Sequence, residues 1–214
     1  MRCFRQLLPI AFAITLSGTI IDRIAVVVNN QIVKDSDIDR DIRLVSFMNG
    51  QKIVADAATR KDAASRLIDQ QFIRREITTG EYPRPSASAV DQMLAQTRAS
   101  KFASEQQFEA ALKAYGITQP ELKKYLRWQL TVLQFIDARF RPAVLVTDED
   151  IQKYYDAHLS ELTQEHPDQP HTLAALKDEI EQAVAGERIN EQFYAWLAQR
   201  RKTGKIEFHE EGLQ

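Results

Sequence analysis

The chain has 214 residues, 27% of them charged and 44% hydrophobic, with a formal net charge of −2. This is the composition of an ordinary soluble globular protein, long enough to bury a core without disulfides or metals. It supplies no strong positive field for a nucleic-acid partner. The 7 glycines and 7 prolines are few for this length and argue for helices over a turn-rich all-β fold.

Taken in chain order, the first feature is a short basic stretch, Arg2 and Arg5, followed by the uncharged apolar run Leu7–Leu16. This is the layout of a secretory signal peptide, and the run falls short of the roughly 20 apolar residues that span a bilayer. Residues 1–19 are therefore expected to be a cleaved leader, leaving an exported chain with no stable membrane anchor. The single cysteine, Cys3, falls inside that leader. A mature chain without a thiol suits an oxidising compartment.

Ile24 to Val28 is β-branched and apolar, Asn29-Asn30 supplies turn residues, and Gln31-Ile32-Val33 returns. The pattern predicts a hairpin, which is not stable alone and needs a third strand or a helix. Asp35 or Ser36 is expected to cap a helix that stops at Asn49-Gly50. A longer helix follows over 55–77, with Ala64, Leu67, Ile68 and Phe72 on its apolar face. The segment Gly80 to Pro85 breaks it. Helices are expected over 88–100, after the capping box Ser104-x-x-Gln107, and after the box Thr118-x-x-Glu121, the last stopping near Phe140 before Pro142. Thr147 to Asp150 caps the next helix. Thr163 to His171, with Pro167 and Pro170, reads as a loop. One long helix then covers 172–202, and Ile206-Glu207-Phe208 is a lone strand. Hairpin and lone strand each lack what the other supplies, so they are expected to pair in one small sheet.

Motifs for catalysis are missing. The four histidines show no i, i+4 metal spacing, and no nucleophile elbow or phosphate loop is present. The acids Asp148, Glu149 and Asp150 sit at a helix N-terminus and Arg200, Arg201 and Lys202 at a C-terminus, where each sign suits the helix dipole. No catalytic residue, metal site or cofactor is expected.

Two apolar features exceed the needs of a plain surface helix. After Thr118, Leu122, Leu126, Leu133, Ile136 and Phe140 form one stripe, and Trp128, Val132 and Phe135 form another beside it. The combined arc is wider than the usual core face of about 100°. The second stripe is either the face of a helix packed on two sides or a peptide-binding surface. In the last helix Leu176, Ile180 and Val184 share one side, and Ile189, Phe193, Trp196 and Leu197 another. That helix is expected to change packing partner near Gly186.

The segments Ile24–Ile38, Leu67–Glu76, Thr147–Tyr155 and Asn190–Leu197 with Lys205–Phe208 resemble the SurA-type periplasmic chaperones. The resemblance implies a mainly α fold, a multi-helix chaperone core with a small sheet. Residues 20–160 and 172–214 would complete one core. In the family a parvulin prolyl-isomerase domain stands before the last helix; here 161–171 is only a loop, so no isomerase residue is carried over. What the resemblance implies is a non-enzymatic, ATP-independent periplasmic holdase. Its partners would be unfolded envelope proteins, outer-membrane proteins above all, held in an apolar groove at Trp128, Val132 and Phe135. Two rivals are an assembly or scaffold protein with one folded partner, and a divergent peptidyl-prolyl isomerase.

Overall fold

The computed structural model describes residues 22–165, 171–209 and 212. The expected leader, residues 1–19, lies outside the described residues. Strands β1 (Ile24–Val28) and β2 (Gln31–Lys34) form the hairpin, and β3 (Ile206–Phe208) completes an antiparallel sheet in the order β2-β1-β3. The expected pairing of the chain ends is present: Val26 faces Phe208 and Val28 faces Ile206. Asn29 ties the turn to the incoming strand, its N–H donating to the Lys205 carbonyl at 2.7 Å and its side-chain oxygen accepting from the Lys205 N–H at 3.1 Å. Of the two asparagines, Asn29 takes the positive φ, 53°, a conformation that asparagine tolerates better than most residues.

Helices α1 (Asp35–Asn49), α2 (Ala57–Thr79), α3 (Ala87–Lys101), α4 (Glu105–Tyr115), α5 (Gln119–Phe140), α6 (Asp148–Glu165) and α7 (Leu173–Thr203) make up most of the chain. The first helix starts at Asp35 itself, so its N-cap is Lys34, one residue before the expected cap. Its N-terminus is held from upstream: the Asp22 carboxylate accepts from the Ser36 N–H at 3.1 Å and the Ser36 hydroxyl at 2.7 Å. A remote acid thus does the work expected of a local cap. Gly50 ends α1 at φ 64° and Gly116 ends α4 at φ 62°, left-handed positions that suit glycine. The Thr118–Glu121 box is reciprocal, and Thr147 with Asp150 repeats it before α6. The expected start of a loop at Thr163 is corrected. The sixth helix continues through Glu165, where the Thr163 hydroxyl donates to the Leu159 carbonyl at 2.6 Å, and residues 166–170 lie outside the described residues.

Three apolar clusters organise these elements. The main one joins β1 and β2 to α1, α2, the second half of α5 and the second half of α7, through Val26, Val28, Ile38, Phe72, Phe135, Phe193 and Leu197. A second holds the end of α1 against α4 and the first half of α5, around Phe47, Phe108, Leu122 and Leu126, with Met93 and Leu94 of α3 against it. The third pairs α6 with the first half of α7, through Ile151, Leu162, Leu176, Ile180 and Val184. The last helix does change partner along its length, as its two apolar sides require.

Polar pins lock α7 in place. Arg201 donates to Asp69 at 2.5 Å and to the Ser65 carbonyl at 2.9 Å. Glu76 accepts from Arg139 of α5 at 2.6 Å and Arg200 of α7 at 3.1 Å. Beyond a dipole role, the basic end of α7 is therefore a tertiary clasp onto α2.

Candidate functional site

The site is built where α1, α2 and α5 diverge. Alternation of buried and polar positions along α2 places Ala64, Ile68 and Phe72 in the core. Leu67, Gln70, Gln71 and Arg74 then fall on the flank facing α5. On α5, Tyr125 and Trp128 face them, and on α1, Asp41 and Leu44 form the floor. Together with Val33 of β2 these residues line a cleft of about 490 Å³. A second cleft of about 490 Å³ lies between the hairpin turn and α2, lined by Val28, Gln31, Arg75 and Thr78 among others. Gln71 and Arg74 line both clefts, so the two meet there.

The expected stripe divides between core and cleft. Trp128 is half-buried and lines the first cleft, with the Arg74 guanidinium 4.0 Å above its ring centre. Val132 is half-buried against the main core. Phe135 is 0% exposed. It packs edge-on against Tyr82 at 4.9 Å and Phe140 at 6.0 Å, and against Trp196 at 5.5 Å. As a surface residue for peptide, Phe135 is thus a misassignment: it is the inward residue of α5. The companion stripe is corrected in the other direction. Leu133, expected in the core, is 59% exposed. Turning Phe135 inward rotates Leu133 outward by about 160° on a helical wheel.

Electrostatics in the cleft are uneven. Asp41 is buried and accepts from Arg66 at 2.6 and 2.9 Å. Burial pushes its carboxyl up from the ordinary value, and the Arg66 charge pulls against that. Burial also pushes the Tyr125 phenol up, and the nearby Asp41 charge adds to it. Arg74 is disfavoured as a cation by desolvation. Although much of its side chain reaches solvent, the charged end lies over an indole.

Against known proteins, the chain matches a Clostridium botulinum protein named foldase protein PrsA. The strain Loch Maree protein is 37% identical over 78 residues, and that of strain Hall is 38% identical over 78 residues. The match takes in 35% of this chain and 23% of each relative, so the similarity is partial and spans under a quarter of the relatives' length. No family model matches the chain.

Sequence reasoning found Trp128 and missed its neighbours. Gln70, Gln71 and Arg74 stand on the polar side of α2, and polar residues there read as solvated. The available signal was Leu67, an apolar residue at the margin of the buried stripe, with glutamines and arginines on the adjoining flank. The described residues contain no group of three metal-ligating side chains, and none of their helices is long and apolar enough to cross a membrane.

Proposed function

We propose that the chain is a periplasmic holdase chaperone that binds unfolded envelope polypeptides, outer-membrane proteins among them, without ATP or another cofactor. The observation that carries this reading is the cleft between α1, α2 and α5. It sets half-buried Trp128 and Leu67, over buried Leu44, among glutamines and arginines. Apolar burial is non-directional, so such a surface accepts many sequences. The glutamine amides both donate and accept, and so suit the backbone of an extended segment. The partial similarity to proteins named as foldases supports a role in protein folding. The resemblance to the SurA type supports the finer assignment and, with the apolar run after Arg5, an exported location. The connection between Glu165 and Leu173 is too short for a domain of about a hundred residues. That supports binding without prolyl isomerisation.

The test is twofold. Dilution of an unfolded outer-membrane protein into stoichiometric chain should suppress light scattering without nucleotide. A photoreactive residue at Gln70 should crosslink to that client, and one at the remote Glu109 should not. Unchanged scattering at several-fold excess would sink the holdase reading. Selective crosslinking to one folded protein in cells would favour the dedicated assembly role instead.

A further inference from the structure

The charges along the joined clefts are not balanced. Each acid lining the first cleft is already engaged. Asp37 accepts from the Lys34 N–H at 3.2 Å and Arg40 at 3.0 Å, and Asp41 takes Arg66. Glu121 accepts from Thr118 at 2.8 Å and lies 3.5 Å from Arg40. Three cations have no carboxylate partner among the described residues: Lys124 in the first cleft, Arg74 at the junction and Arg75 in the second. Arg74 holds its guanidinium carbon 4.0 Å over the Trp128 ring centre. No side-chain N–H group of Arg74 has a hydrogen-bond partner among the described residues, which leaves them to a carboxylate in the fork geometry that fits it. Desolvation beside the indole strengthens any such pairing.

We propose that the joined clefts select extended polypeptide segments carrying Asp or Glu side chains, with Arg74 as the anchor and Lys124 and Arg75 on either side of it. This deepens the polypeptide-binding reading and rests on it. The sheet supports an extended occupant. Among the described residues β2 is an edge strand, and it contributes Val33 to the first cleft and Gln31 to the second. A chain laid along it repeats its side chains on one face about every 7 Å, so acids at alternate positions reach successive cations. A terminal carboxylate would meet one cation and leave the others unpaired, which is why side-chain carboxylates are the better match.

The experiment compares three fluorescent peptides of one apolar sequence by anisotropy with the full chain. One carries Glu at alternate positions, one carries Gln there, and both are amidated at the C-terminus. The third carries Gln and a free terminal carboxylate. The Glu peptide should bind at least about tenfold tighter than its Gln twin, as expected of charge-assisted hydrogen bonds, and salt should narrow the gap. Arg74→Gln should bring the ratio towards one. Should that variant lose its fold, the exposed pair Arg75→Gln and Lys124→Gln should lower the same ratio. Equal binding of the Glu and Gln peptides by the native chain would overturn the acid preference and leave polypeptide binding standing. A gain confined to the free-carboxylate peptide would overturn the side-chain assignment. Failure of all three to bind would overturn both readings.

Discussion

Trp128 and Phe135 stand about two turns apart on α5 and have opposite consequences when removed. Phe135 sits among Tyr82, Phe140 and Trp196 with no exposure. Phe135→Ala should cost about 3–5 kcal/mol in a urea titration, as truncation of a core aromatic does. Trp128→Ala should cost only about 1–2 kcal/mol, mostly partial burial and a cation–π contact, and should weaken peptide binding in the anisotropy assay. Arg60 is a third decisive residue. Its side chain is 7% exposed, pairs with Asp35 and Asp39 of α1, and donates to the Gly212 carbonyl at 3.4 Å. Arg60→Met should destabilise by about 2–3 kcal/mol; its acid partners are half-exposed, so this falls below the cost of breaking a fully buried pair. Asp150 gives a pH-dependent case. Hydrogen bonds from Arg188 and then from Thr147 hold its carboxyl well below the ordinary 3.8. Below that value the unfolded chain binds the proton first, so the contribution is whole above about pH 3.8 and is lost as pH falls through the lowered folded value. Asp150→Asn should lower the melting temperature at pH 7 and flatten its decline below about pH 4, read by circular dichroism across pH.

The last helix shows how element-scale information is encoded. Leu176, Ile180 and Val184 recur every four residues, and so do Ile189, Phe193 and Leu197, but the step from Val184 to Ile189 is five. That one extra residue turns the apolar side by about 100°. The helix therefore leaves the α6 cluster and joins the main core without a kink, and it runs unbroken from Leu173 to Thr203. Gly186 sits at the crossover, and a Cβ placed there meets nothing within 4 Å. Gly186→Ala should thus stabilise the protein by about 0.5–1 kcal/mol, measured by thermal unfolding. The change of side was legible in the sequence because it is a local phase shift. The start of α1 was less so, because its acid partner, Asp22, lies 14 residues away. The end of α6 was misplaced because the prolines near it were allowed to break helix that continues through Glu165.

At the scale of the molecule, the strand pairing was legible from need: a marginal hairpin and an orphan strand complete each other. The cleft was not, because its walls come from three helices and its lining is largely polar. A polar residue facing a cleft and one facing solvent share the same periodicity. Phe135 and Leu133 were exchanged for a related reason. On a helix whose apolar arc is wider than one core face, the pattern says how much is buried and not which way it points. The main core draws on both chain ends, so a fragment ending at residue 170 would lack Ile189, Phe193, Leu197 and β3. Such a fragment should show helical circular dichroism without cooperative melting or dispersed amide resonances. A sharply melting fragment would show that α7 is an appendage.

The turn-to-strand link between Asn29 and Lys205 joins residues 176 apart in sequence. During synthesis, the inner strand of the sheet waits with one edge open until Ile206–Phe208 has been made. Contacts so distant in sequence form late and slow the search for the native state. Completion of the core is thereby coupled to the arrival of α7 and β3. Until Ile206–Phe208 pairs, one edge of β1 stays open, and the arrival of that strand closes the sheet.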